Sequence, residues 1–100
     1  MSQQGVRIVA RNFRSRFGEI DLIGYDGPYL VFFEIKYRKT SLAGRPEQAV
    51  NYRKRQTISK VADYYRMKNR IGDFTPMRFD VISICGTEFR WYKNAFDYIC

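Results

Sequence analysis

The sequence predicts an α/β fold in which a central mixed sheet, built in the order β-β-β-α-β-β, carries one long helix. Three observations predict it. Residues 18–38, "GEIDLIGYDGPYLVFFEIKYR", are two runs rich in Ile, Leu, Val, Phe and Tyr around a turn; residues 47–68 hold helix formers with apolar positions at Val50, Ile58, Val61, Ala62 and Tyr65; strand patterning then resumes. The chain must cross the sheet between its third and fourth strands, which makes the strand directions mixed.

The elements follow in order. "VRIVARNFR" alternates, with Val6, Ile8 and Ala10 on one side and Arg7, Val9 and Arg11 on the other, as a half-buried first strand does. Asp26-Gly27 is a two-residue hairpin signal between strands two and three. "KTSLAGRPE" reads as a loop through Gly44 and Pro46, and the helix runs from Glu47 to about Lys68. "NRIGDFTP" ends it, "MRFDVISI" is the fourth strand, Gly86-Thr87 turns the chain, and "FRWYK" pairs back as a short fifth strand. No repeat, linker or low-complexity segment interrupts residues 1–100, so a single domain is expected.

Composition narrows the chemistry. Eighteen Lys and Arg against ten Asp and Glu give a formal charge of +8, which favours polyanions and makes nucleic acid the first partner to consider. An acidic membrane surface is the rival, but the arginines are scattered over strands, loops and helix rather than gathered on one amphipathic face. The longest apolar run, Tyr29 to Phe33, is far short of the roughly 20 residues that cross a bilayer. With no signal-peptide pattern at the N-terminus, a soluble cytoplasmic protein is expected. Cys85 and Cys100 sit in no metal-ligand spacing. The absence of histidine removes Ser-His and Cys-His hydrolases, imidazole zinc sites and histidine bases together. Any enzyme here works with carboxylates, lysines, tyrosines or a hard metal ion.

Against that background the hairpin is unusual, because it places Glu19, Asp21, Glu34 and Lys36 where a sheet favours apolar residues. A turn centred on Asp26-Gly27 sets Tyr25 opposite Pro28, Leu22 opposite Val31, Asp21 opposite Phe32 and Glu19 opposite Glu34. All three acids and Lys36 then share a face with Leu30 and Phe32, while Ile20, Leu22, Val31, Phe33 and Ile35 take the other. Facing carboxylates repel, and apolar neighbours make their ionisation costlier. Lys36 supplies one positive charge and a divalent cation such as Mg²⁺, held by carboxylates, water and phosphate oxygens, supplies two more. Such a site suits phosphoryl chemistry, with Lys36 placed to orient water or stabilise developing charge. The alternative is a solvated face of alternating charge with Glu34 paired to Lys36 or an arginine.

Lys54 lies on the helix's apolar stripe and either reaches the acids or a phosphate, or runs its stem along the core. Gln56 is a weaker accessory candidate, and Asp80 in "RFDV" has an ordinary reading as a partner of Arg78 or a helix residue.

"GEIDLI", "FFEIKYRK", the "AV...K" of Ala49, Val50 and Lys54, "RFDV" and the closing "NAF" together resemble the YraN-like family of small predicted endonucleases, in the same order over nearly the whole chain. The resemblance implies a restriction-endonuclease-like fold and an Asp, Glu-x-Lys site similar to that of archaeal Holliday-junction resolvases. It implies that Asp21, Glu34 and the Ile35 carbonyl hold Mg²⁺ or Mn²⁺ and that Lys36 assists the attacking water. Members usually carry a further helix before the first strand, where this sequence has only Met1 to Gly5, so a chain without it either loses stability or pairs with a second copy as a homodimer.

The expected function is metal-dependent hydrolysis of phosphodiester bonds in DNA, including branched or recombining DNA, with Arg14, Arg16, Arg38, Lys39, Arg45 and Arg53 on phosphates. A nucleic-acid-binding module that keeps the fold without cutting is the alternative, and a purely structural or protein-interaction domain is the third.

Overall fold

The computed structural model describes residues 5–37 and 50–99. Strands β1 (Val6–Ser15), β2 (Gly18–Asp26) and β3 (Tyr29–Tyr37) precede helix α1 (Tyr52–Lys68), and β4 (Met77–Cys85) and β5 (Glu88–Phe96) follow it. They form one five-stranded sheet in the order β1-β2-β3-β4-β5. Only β3 and β4 run parallel, which is the pairing that α1 connects. This is the predicted α/β order and mixed sheet, consistent with the restriction-endonuclease-like architecture implied by the motifs.

The helix starts later than its pattern suggests. Asn51 has extended backbone angles and its side-chain Oδ1 accepts the Lys54 N–H at 2.8 Å, so it caps the helix and Val50 lies outside it. Residues 47–49, the predicted first turn, lie outside the described residues. From there the buried stripe Ile58, Val61, Ala62 and Tyr65 packs on Ile20, Ile23, Leu30, Phe32, Phe79, Val81 and Phe96. Phe32 is the pivot of this layer, stacked on Phe79 with ring centroids 5.6 Å apart and edge-on to Tyr65. The opposite sheet face gathers Val6, Val31, Phe33 and Ile82, with Ile8, Leu22, Ile35, Ile84 and Trp91 partly buried around them.

The β2–β3 turn is displaced by one residue from its predicted centre. Asp26 pairs with Tyr29, so Gly27 and Pro28 form the turn, and the register becomes Tyr25 to Leu30, Ile23 to Phe32 and Leu22 to Phe33. A turn centred on Asp26-Gly27 needs positive φ at both residues, and Asp26 does not adopt it; Gly27 does, at φ 61°, and proline supplies the negative φ that follows. The pairing of Leu22 with Val31 and of Asp21 with Phe32 is therefore replaced by one shifted two residues, which leaves side-chain parity intact.

Two face assignments change. Ile20 and Ile23, three residues apart, both pack on the helix side while Leu22 packs on the other, so β2 rolls over around Asp21, beside Asn12 at φ 49° on β1. The β1 register also shifts between Ile8 and Ala10, sending Ala10 to the helix side, away from Val6 and Ile8.

Strand β5 is longer than predicted because a second irregularity extends it. The register with β4 shifts between Phe79 and Val81, opposite Asn94 at φ 53°. The Asn94 N–H donates to Oδ1 of Asp80 at 2.9 Å. Asp80 is fully buried and also accepts two bonds from Arg78, each 2.9 Å, and one from the Trp91 indole at 2.7 Å. Arg78 reaches on to Asp26 at 2.9 Å, and the Asp80 bonds, then those to Asp26, hold its guanidinium charged against the opposing effect of burial. The ordinary reading of Asp80 holds: it ties β2, β4 and β5 together. Asp80→Ala leaves Arg78 with its Asp26 partner but removes the acceptor of the Trp91 and Asn94 N–H groups and of two Arg78 bonds, and is expected to cost about 3 kcal/mol, measured by urea unfolding.

Candidate active site

The β2–β3 ladder stops at Leu22–Phe33, one rung short of Asp21 and Glu34. There the Asp21 side chain takes over a main-chain role: its Oδ2 accepts the Ile35 N–H at 2.8 Å. In a strand the N–H and C=O of one residue point the same way, so the Ile35 carbonyl faces the same gap. Next to it Glu34, 8% exposed, lies on the helix side of β3. Its pKa is pushed up to about 7, first by burial, and further by hydrogen bonding and charge repulsion from Asp21.

The cations act against this. Lys54 Nζ stands 3.6 Å from Glu34 Oε2 and lowers the pKa most, while Lys36, two residues along β3, contributes the smaller favourable effect. Of the two readings of Lys54, the ion pair is the one observed. Lys36 shares the face of Glu34 by strand alternation and is half-buried.

Asp21 also borders a hollow of about 310 Å³ on the far side of the gap, lined by Arg11, Asn12, Asp21, Leu22, Ile35 and Tyr37. The site is thus a seam: carboxylate, carbonyl and buried carboxyl lie where two strands part, with a polar hollow against one of them.

The remaining predicted residues fall elsewhere. Glu19 turns to Arg14, whose Nε donates to it at 2.6 Å, so it stands apart from the Asp21–Glu34 pair. Gln56 is half-buried on α1 but about 200° round the helix from Lys54, and so does not share its face. Arg14, Arg16 and Arg53 are exposed, as phosphate contacts would need to be. Arg38, Lys39 and Arg45 lie outside the described residues. The sequence reading underweighted Arg11, Asn12 and Tyr37, which wall the hollow; Arg11 and Asn12 carry no signal before the β1–β2 pairing is known.

Among the described residues no three or more His, Cys, Asp or Glu side chains converge on a metal position. The donor set is therefore two carboxylates and one main-chain carbonyl. It suits a hard divalent ion such as Mg²⁺ or Mn²⁺ because all donors are oxygen; the proton affinity of Glu34 is raised first by burial and further by Asp21, against the two lysines.

Comparison with known proteins places the chain in a family. The family model described as "Uncharacterised protein family UPF0102" matches residues 1–84. The chain belongs to this family, the YraN-like one. A UPF0102 protein from Lachnoclostridium phytofermentans is 46% identical over 97 residues, covering 97% of this chain and 82% of the relative. One from Legionella pneumophila strain Corby is 43% identical over 102 residues, covering 100% and 86%, and one from Thermodesulfovibrio yellowstonii is 42% identical over 93 residues, covering 93% and 81%. The UPF0102 match spans Asp21, Glu34, Lys36, Lys54 and Asp80 but ends before Asn94, whose bulge completes the Asp80 network.

The raised pKa has a direct consequence for stability. The fold prefers Glu34 protonated, so its ionisation is easier in the unfolded chain, and stability falls as pH rises from about 4.5 through 7. In EDTA, Glu34→Gln removes this slope. By urea unfolding it matches wild type near pH 4 and exceeds it at pH 8 by up to about 3 kcal/mol, the equivalent of the full shift.

Proposed function

We propose that this UPF0102 protein is a divalent-metal-dependent nuclease that hydrolyses phosphodiester bonds in DNA, branched or recombining structures included. One observation carries the reading: Asp21 and the buried Glu34 meet where the β2–β3 ladder stops, with the Ile35 carbonyl beside them and two lysines close by.

Each group has work to do in this reading. Asp21 and Glu34 present oxygens to a cation, and Asp21 is fixed in place by the Ile35 N–H. Lys54 keeps Glu34 on the helix side and favours its ionised, ligating form. Lys36 aims an ammonium along the same face, where it orients water and offsets charge developing on a phosphate. A bound Mg²⁺ or Mn²⁺ supplies Lewis acidity to the phosphoryl oxygens and eases deprotonation of water. Arg14, Arg16 and Arg53 hold the flanking phosphates, which positions DNA without reading its sequence. No helix among the described residues is long and apolar enough to cross a membrane.

Purified protein is expected to cut single-stranded, linear duplex or four-way DNA only when Mn²⁺ or Mg²⁺ is present. Asp21→Asn and Glu34→Gln abolish scission, and Lys36→Ala lowers its rate by about 10²–10⁴-fold. Equal cutting by wild type and Glu34→Ala removes the reading, because the activity then comes from elsewhere. DNA binding without scission in any metal leaves the non-cutting module.

Metal binding has its own readout. At pH 8, Mn²⁺ is expected to raise the Tm of wild type and not that of Asp21→Asn, since binding to the folded state alone stabilises it.

A further inference from the structure

Helix α1 carries a second stripe that the core does not use. Opposite the buried residues, Lys60, Asp63, Tyr64 and Met67 follow one another at helical spacing, and Met67 is 67% exposed. With Arg16 and Phe17 from the β1–β2 turn they line a groove of about 490 Å³. That volume lies within the range of about 300–1,000 Å³ typical of ligand clefts.

The turn wall is built to stay in place. The Ser15 hydroxyl accepts the Phe17 N–H at 3.1 Å and donates to the Gly18 carbonyl at 3.4 Å. Gly18 is at φ 147°, and a Cβ there would stand 2.7 Å from the Thr57 methyl, so only glycine lets the turn press this closely on the helix. The result is an aromatic ring, 39% exposed, held on a short rigid turn with the Arg16 guanidinium stacked 5.0 Å above it. Across the groove stands Tyr64, itself packed against Phe13.

We propose that this groove holds an unpaired nucleotide, its base stacked against Phe17 and Tyr64 and its phosphates met by Arg16 and Lys60. The proposal rests on the nucleic-acid part of the reading above and adds a substrate class to it: DNA with a single-stranded or displaced segment next to the cleavage point. Charge favours this occupant. The groove's one acid, Asp63, is engaged by Arg66 and the Tyr98 hydroxyl, which leaves Arg16 and Lys60 to set its sign. Stacking on exposed rings flanked by cations is the common mode of single-strand binding. Position bears on it too: the nearest helix residue of the groove, Lys60, lies six residues along α1 from Lys54, about 9 Å of rise, so the groove shares its helix with the lysine paired to Glu34.

The test is binding in EDTA, where no metal-dependent cutting intervenes. A short single strand carrying 2-aminopurine is titrated with protein beside a blunt duplex, reading both anisotropy and 2-aminopurine quenching. Phe17→Ala is expected to weaken single-strand binding by about tenfold and abolish quenching while leaving duplex affinity unchanged, and Phe17→Trp restores both. Lys60→Glu weakens both DNA forms. Equal loss of single-strand and duplex affinity in Phe17→Ala, or an abasic strand bound as tightly as an intact one, overturns the proposal. So does Phe17-dependent self-association without single-strand binding, which gives the groove to a second copy. Absence of scission in the metal assay removes the nuclease reading and leaves this result standing.

Discussion

The interaction on which the site depends is the one between Asp21 and the main chain of β3. By accepting the Ile35 N–H at 2.8 Å, the Asp21 carboxylate stands in for the rung that the ladder omits, and so is held beside Glu34 rather than free to swing into solvent. Glu34 is in turn fixed by the most buried strand of the sheet, where Leu30 to Phe33 are each at most 1% exposed. Two acids are therefore brought together by backbone geometry, not by mutual attraction. Repulsion and desolvation act against the arrangement, and the ion pair with Lys54 offsets only part of it. A cost of this kind, carried by a buried acid pair, is typical of sites where stability is exchanged for function.

The two buried acids make the point by contrast. Asp80 has no exposed surface and accepts four hydrogen bonds, from Arg78, Trp91 and Asn94, so its charge is fully met inside the protein. Glu34 is almost as buried, yet its ion pair is at 3.6 Å with a lysine whose side chain is 42% exposed, and another acid, Asp21, is close enough to raise its proton affinity. A satisfied buried charge is architecture; an undercompensated one is where an external cation has something to gain. Both residues sit in short motifs of the same sequence, and only the surroundings separate them.

Much of this was legible from residue order alone. Parity along β3 puts Glu34 and Lys36 on the face of Phe32, and for the paired rungs it is unchanged by the two-residue shift of register because side chains alternate with period two; Asp21 lies just beyond the last rung and reaches Glu34 and the Ile35 N–H from there. What parity could not supply was the roll of β2 that takes Ile20 to the helix side, since it depends on a left-handed residue, Asn12, in the neighbouring strand. The turn was misplaced because Asp-Gly is the stronger hairpin signal in isolation, whereas here Asp26 remains in the strand and bonds Arg78 from β4, a partner 52 residues away. The hollow against Asp21 was invisible for the same reason: Arg11 and Asn12 of its wall come from β1.

Helix α1 joins these pieces. Its first turn holds no acid but carries Arg53, Lys54 and Arg55, a charge sign that the helix dipole disfavours at an N-terminus. Each of the three has a local use or exposure: Lys54 turns inward to Glu34, Arg55 donates to the Val50 carbonyl at 2.8 Å, and Arg53 faces solvent. A positive helix start beside an acid pair offsets part of the cost on both sides, since Lys54 lowers the proton affinity that burial and Asp21 raise in Glu34. On the function proposed above, a phosphodiester with its cation would extend the same compensation: the anion would meet the remaining charge of the helix start and the cation that of the carboxylates. The acids and the basic helix start are thus coupled through the Lys54–Glu34 pair and are better understood as one site than as two surface irregularities.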